Sequence, residues 1–260
     1  MKGIVWSDMY YMLVVFLTMV IVLVRAVQVV GGWGELWAAN VRADRILFDD
    51  FRPDPGVRHS VWSVLLGGFF TFSSILAVNP PRVQKVVSCS TPRDAQIAMY
   101  LASMLFILAT WLCILNGLYM GAFYENCDPF FVHLIDSGVQ LLPLFAADIL
   151  ADSYGMVGFV GAGIYSGCLS TIASEMSAVS ASILEDFIGS YHIYTISEQT
   201  ARLLSQLIVL VVGLLGIVGV FVLSQIGDVV SLAISMFGVT ASPVLGAFSL
   251  GMFFPWTNTK

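Results

Sequence analysis

Apolar residues run almost without interruption through six stretches, near residues 9–30, 61–79, 96–122, 154–180, 203–224 and 229–254, with shorter polar segments between them. Each is long enough to form a helix across a hydrocarbon layer about 30 Å thick, which takes roughly 20 residues. The alternation of apolar and polar positions that marks a membrane β-barrel strand is missing. The pattern therefore predicts an all-α membrane protein with six transmembrane helices.

Two of these stretches are punctuated. The second holds Gly67 and Gly68 near its start, Thr71, Ser73 and Ser74 in its middle and Asn79-Pro80-Pro81 at its end; the last holds Gly238, Ser242-Pro243 and Gly246. Proline removes a backbone donor and clashes with the preceding turn. The carbonyls it frees survive at membrane depth only beside protein or a cavity. Both stretches are read as interrupted helices, the device that points to a transporter's central site. An ordinary proline kink is the plainer alternative for either one alone.

The fourth stretch carries the candidate chemistry. Gly158, Ala162, Ser166, Ser170 and Ser174 recur every four residues, and Gly163, Gly167, Thr171 and Glu175 form the adjacent row. Small and hydroxyl-bearing groups thus gather on one side of a helix. Inside hydrocarbon such a stripe faces other helices or an ion-holding cavity. On spacing alone helix packing is the commoner use. Positions 167, 170 and 171 also bring a helix carbonyl and two hydroxyls to one spot, and oxygen is what a hard cation takes as ligand.

Composition narrows the class further. With 58% hydrophobic and 11% charged residues and a mean hydropathy of +0.89, the chain departs from soluble domains, which average about 25% charged. The first stretch continues to Val30 without a small-residue cleavage site, so it reads as a retained helix and not as a leader. Orientation follows Lys and Arg in short loops and not the formal net charge of −6. Arg82, Lys85 and Arg93 mark 82–95 as cytoplasmic, which puts 187–200 on the same side. Glu125, Asp128 and Asp136 leave 123–145 outside, together with 31–60, where Arg42, Arg45, Arg52 and Arg58 are accompanied by Glu35, Asp44, Asp49, Asp50 and Asp54. The whole of 1–260 is read as one transmembrane domain.

Cys89, Cys113, Cys127 and Cys168 show no disulfide or zinc spacing; Cys113 and Cys168, within spans, are expected to pack as small apolar groups. His59, His133 and His192 all lie in or beside loops, and no HExxH or GxSxG motif is present. A membrane-embedded enzyme is excluded on that ground.

Specific strings now bear on the family. QLLP at 140–143, DIL at 148–150, YSGCLSTIAS at 165–174 and ED at 185–186, with KGIVWSD at 2–8, AVNPPRVQK at 77–85 and SPVLGAFSLGMFFPWTN at 242–258, closely resemble the sodium/solute symporter family in the family's order. The likeness covers nearly the whole chain. It is strongest to the branch of sodium-coupled monocarboxylate, multivitamin and iodide transporters. The sugar branch fits worse, since Ser74, Ile75 and Leu76 stand where it carries Trp-Tyr-Trp, and Ile234 where it carries a glutamine.

This resemblance implies a partial leucine-transporter fold of inverted repeats, the chain supplying the last helix of repeat one and all of repeat two, with a broken helix at about 61–81. The earlier core helices and the C-terminal helices of relatives would lie outside it, so a fragment is expected. The resemblance further implies Na+ as co-transported ion, held by the Gly167 carbonyl and the Ser170 and Thr171 hydroxyls. It points to Phe72, Leu76, Val244 and Phe248 as solute contacts, groups suited to a weakly hydrated anion or short organic acid. Glu175 stands where relatives carry a small hydroxyl; it is a candidate for attracting cations or taking up a proton, against a plainer reading as a solvated side chain. No organic cofactor and no nucleic acid are expected; the partners are solute, sodium, the lipid bilayer and the missing helices. The expected function is sodium-coupled secondary active transport of a small organic anion or related solute, of monocarboxylate, vitamin or iodide type, across the plasma membrane. A truncated, non-transporting form with a structural or regulatory role is the competitor.

Overall fold

The computed structural model of the chain describes residues 2–46, 51–52, 60–189, 197–223 and 229–257. Its helices are α1 (Lys2–Val30), α2 (Trp33–Arg42), α3 (Val61–Ser73), α4 (Pro80–Val87), α5 (Pro92–Phe123), α6 (Leu141–Leu150), α7 (Met156–Ser182), α8 (Glu198–Leu223) and α9 (Val229–Phe253). No strand occurs among the described residues. Among the described residues six stretches are long and apolar enough to cross a membrane: Val5–Val30, Val61–Val78, Pro92–Phe123, Met156–Asp186, Glu198–Leu223 and Leu232–Phe253. They coincide with the six expected from the hydrophobic pattern.

Four expected connections contain helix. In 31–60 the sequence WGELWAANVR folds as α2, because Leu36 and Ala39 give it an apolar face to bury. Gly31, with φ of 112°, turns the chain between α1 and α2 in a conformation that favours glycine. In 123–145 the short α6 begins at Leu141, and 82–95 is largely taken up by α4 and the start of α5. A π-helical stretch over Ile183–Gly189 enters 187–200, and α8 begins at Glu198. Asp49, Asp50, Asp54, Arg58, His59 and His192 lie outside the described residues.

The two punctuated stretches behave differently. After α3 the chain passes through a π-helical turn, Ser74–Val78, to Asn79, whose φ of −64° and ψ of 123° are extended, and α4 then starts at Pro80. A residue before proline disfavours the α region, and proline suits the first helical position, so the break falls between them. By contrast α9 runs unbroken through Pro243, which corrects the expected interruption there. Pro243 deprives one carbonyl, that of Val239, of its donor, and one lost bond does not end the helix.

The described residues fall into two compact units rather than one: Met1–Leu47 with Gln96–Ala173, and Phe48–Ala95 with Ser174–Lys260. In the first, α1 and α6 pack on a core of Val22, Ala26, Leu36, Tyr119, Phe145 and Ile149. α2 is tied to the end of α5 by a two-pronged Arg42–Glu125 ion pair (2.9 and 3.0 Å) and by Asn40 Nδ2 donating to Leu118 O (3.1 Å). Tyr124 donates to Asp148 Oδ2 at 2.6 Å. Its burial, with that bond, pushes the phenol's pKa up, so the hydroxyl remains a donor. Gly163 of α7 meets α1 so closely that a Cβ there would fall 2.7 Å from Thr18 Cβ and 2.9 Å from its Cγ2. In the second unit α9 packs on α3 and on the π-helical turn, while Ser180 and Ser205 share a 2.7 Å hydroxyl bond between α7 and α8. All four cysteines are free; Cys113 and Cys168, expected to be packed away, are exposed, and Cys113 Sγ lies 3.9 Å from Met19 Sδ.

Two outcomes follow from these contacts. Gly163→Ala should lower the thermal midpoint of the detergent-solubilised protein by the equivalent of about 1–3 kcal/mol, as overpacking does. Gly158→Ala, where an added Cβ meets nothing within 4 Å, should leave it unchanged. The hydrogen bond from Arg42 holds the Glu125 carboxyl below the usual carboxylate range. Its contribution to docking α2 is therefore present above that range and is lost as pH falls through the lowered value. Amide exchange of α2 should accelerate on acidification, and Glu125→Gln should show the fast rate already at neutral pH.

Candidate cation and solute sites

The first unit brings together the oxygens expected on α7 and a carboxylate of α1 that is not among the expected site residues. Ser170 Oγ donates to Asp8 Oδ1 of α1 at 2.9 Å, and Thr171 Oγ1 donates to Gly167 O at 3.1 Å. The Thr171 contact is the usual bond of a helix hydroxyl to the carbonyl four residues back. The Ser170 contact joins two helices and places a carboxylate beside the hydroxyl stripe. Hydroxyls that give their proton to a carboxylate or carbonyl keep both lone pairs for a cation. Gly167 and Thr171 also line a cleft of about 530 Å³ with Val15, Thr18, Leu142 and Gly163.

Asp8 stands directly before the apolar stretch expected at 9–30. The span begins at Val5 and includes the acid. An ionisable side chain within a membrane span is a functional candidate by default. The adjacent row of small residues divides its work: Gly163 is buried against Thr18, whereas Ser170 is half-buried and Thr171 exposed. Among the described residues no three His, Cys, Asp or Glu side chains converge as a metal cluster. Hydroxyls, a carbonyl and one carboxylate are the donor set of a hard cation.

In the second unit a cleft of about 240 Å³ lies at the helix break, lined by Ser74, Val78, Asn79, Phe237, Thr240 and Val244. Of the four expected solute contacts, Val244 lines this cleft. Phe72 and Phe248 are 44% and 42% exposed, and Leu76 is half-buried within the π-helical turn; these three do not line it. Of its polar members, Ser74 and Asn79 belong to the interruption expected from the sequence, whereas Thr240 carries no signal there.

Glu175 is exposed, yet its Oε1 accepts a long bond from Asn79 Nδ2 (3.4 Å), and the neighbouring Ser174 Oγ accepts from Lys85 Nζ (3.2 Å). Two contacts thus fasten the segment after the helix break to the end of α7.

Helices long and apolar enough to cross a membrane, one of them broken beside a cleft, define an integral, multi-pass membrane protein. The family described as "Sodium:solute symporter family" matches residues 1–260, and the chain belongs to it. It is 35% identical over 260 residues to the sodium-coupled monocarboxylate transporter 1 of Xenopus laevis, an alignment covering 100% of this chain and 42% of that protein. It is 33% identical over 261 residues to the human sodium/iodide cotransporter, covering 100% and 40% respectively. The chain thus spans about two fifths of the length of the curated relatives it matches. A solved Na+-coupled sialic acid symporter in a substrate-bound, outward-open state aligns with a TM-score of 0.78 at 18% identity, over 97% of this chain and 52% of that one. The shared fold is the inverted-repeat type expected.

Because Gln retains the oxygen that Asn79 addresses, Glu175→Gln in the full-length protein should leave the sodium and pH dependence of transport unchanged. Glu175→Ala should instead speed chemical labelling of a cysteine placed in α4. A changed sodium dependence in the Gln variant would put the acid's charge in the mechanism.

Proposed function

We propose that this chain forms part of the core of a plasma-membrane symporter that couples sodium to the movement of a small organic anion or related solute of the monocarboxylate, vitamin or iodide type. The observation that carries the reading is the Asp8–Ser170 contact, which sets a negative charge beside the Gly167, Ser170 and Thr171 oxygens. Sodium replaces its hydration shell with these groups, and Asp8 offsets its charge where water is scarce. Coupling then requires that sodium bind more tightly to the state that also binds solute. A membrane potential adds about 2.3 kcal/mol per charge per 100 mV to the inward step.

Solute is assigned to Val244 at the break in the second span, with Phe72, Leu76 and Phe248, which lie outside that cleft, as the further contacts the resemblance implies. Apolar and aromatic walls suit an anion that loses its water easily. In this orientation 31–60 and 123–145 face outward, and 82–95 with 187–200 face the cytoplasm, consistent with Arg82, Lys85 and Arg93 on the inner side.

Uptake of labelled lactate, nicotinate, iodide or biotin by cells expressing residues 1–260 tests the self-sufficient carrier. Sodium-dependent uptake supports it, and silence supports the non-transporting form. In the full-length protein Ser170→Ala and Thr171→Ala should each raise the half-saturating sodium concentration about tenfold or more, the worth of a bond to a charged group. Unchanged sodium dependence in both would remove these oxygens from the ion's path.

A further inference from the structure

Besides Asp8, α1 carries a second charge inside its span. Arg25 is half-buried, one turn beyond Val22 on the side of the helix that presents Val15, Thr18 and Val22 to two clefts of the first unit. Its terminal nitrogens donate to Gln28 Oε1 (3.0 Å) and to Ile149 O near the C-terminus of α6 (3.3 Å). Its Nε is buried and has no acceptor among the described residues. No carboxylate among the described residues forms an ion pair with it, in contrast to Arg42, which pairs with Glu125.

A cation near the end of a helix is favourable, so part of what Arg25 does is to satisfy α6. That needs one donor, and an uncharged amide would supply it. A permanent charge within a span without an acidic partner needs a further reason. At about 1.5 Å per residue, Asp8 and Arg25 stand about 25 Å apart along α1, on either side of the clefts. One end of this helix thus offers a negative charge and the other a positive one.

We propose that Arg25 is an anion-recruiting subsite: its guanidinium takes the carboxylate or halide of the incoming solute at the α1–α6 end, separately from the solute contacts of the second unit. The proposal rests on the anionic solute class given under Proposed function. The Nε edge of a guanidinium matches a carboxylate in two parallel bonds, and a fixed cation half-buried at the end of a span attracts anions toward it.

The test uses the full-length protein and labelled lactate. Arg25→Gln should raise the KM for lactate about tenfold while the maximal rate and the half-saturating sodium concentration stay near wild type, because loss of recruitment affects encounter and not turnover. Arg25→Lys should recover most of the affinity. Independently of transport, lactate or iodide without sodium should protect Arg25 of the wild-type protein from phenylglyoxal, read by mass spectrometry. An unchanged KM in Arg25→Gln overturns the proposal, as does unprotected labelling. If Arg25→Gln does not reach the membrane, the lysine variant and the protection assay decide. Wild-type protein that moves no anion with sodium would overturn the proposed solute class instead, and protection by iodide would still report on Arg25.

Discussion

Within hydrocarbon, every peptide N–H and C=O has to find its partner inside the protein, and this requirement decides most of what the chain does. It makes the long apolar stretches helical throughout. It also explains why hydroxyls recur on them: Thr18, Ser74, Ser103, Thr110 and Ser242 each donate to the carbonyl four residues back. Where the rule is relaxed, at Asn79, the surrounding turn is π-helical and a cleft lies beside it. Charges obey the same rule, so Asp8 is met by Ser170 and Arg25 by a helix-end carbonyl.

What could be seen in the sequence was whatever depends on run length and on residues near one another in the chain. The six spans follow from apolar length, and the convergence of positions 167, 170 and 171 follows from helical spacing. The break at Asn79-Pro80-Pro81 follows from two prolines in succession, each without a donor. Pro243 stands alone among helix-forming neighbours, so the same reasoning overreached there. The roles of Asp8 and Arg25 are not legible in the sequence, because their partners lie 162 and 124 positions away. The short helices α2 and α6 were hidden because their apolar faces find partners only once the chain has folded. Apolar solute contacts are the least legible of all: Phe72 and Leu76 look the same whether they face a ligand, a neighbour or lipid.

One helix organises the first unit. α1 supplies the carboxylate beside Ser170, the threonine beneath Gly163, the core residues Val22 and Ala26 and the guanidinium at α6. A shift of α1 along its axis would disturb all of them together, since packed interiors do not deform continuously.

The meeting of Gly163 with Thr18 also limits how such a sequence changes over time. Any side chain acquired at 163 collides with atoms of Thr18 down to its Cβ, so residue 18 has to shrink to nothing before residue 163 grows. Lineages that took the steps in the opposite order would pass through a misfitted ancestor. Descendants should therefore vary at these two positions as a couple, even though neither residue touches an ion or a solute.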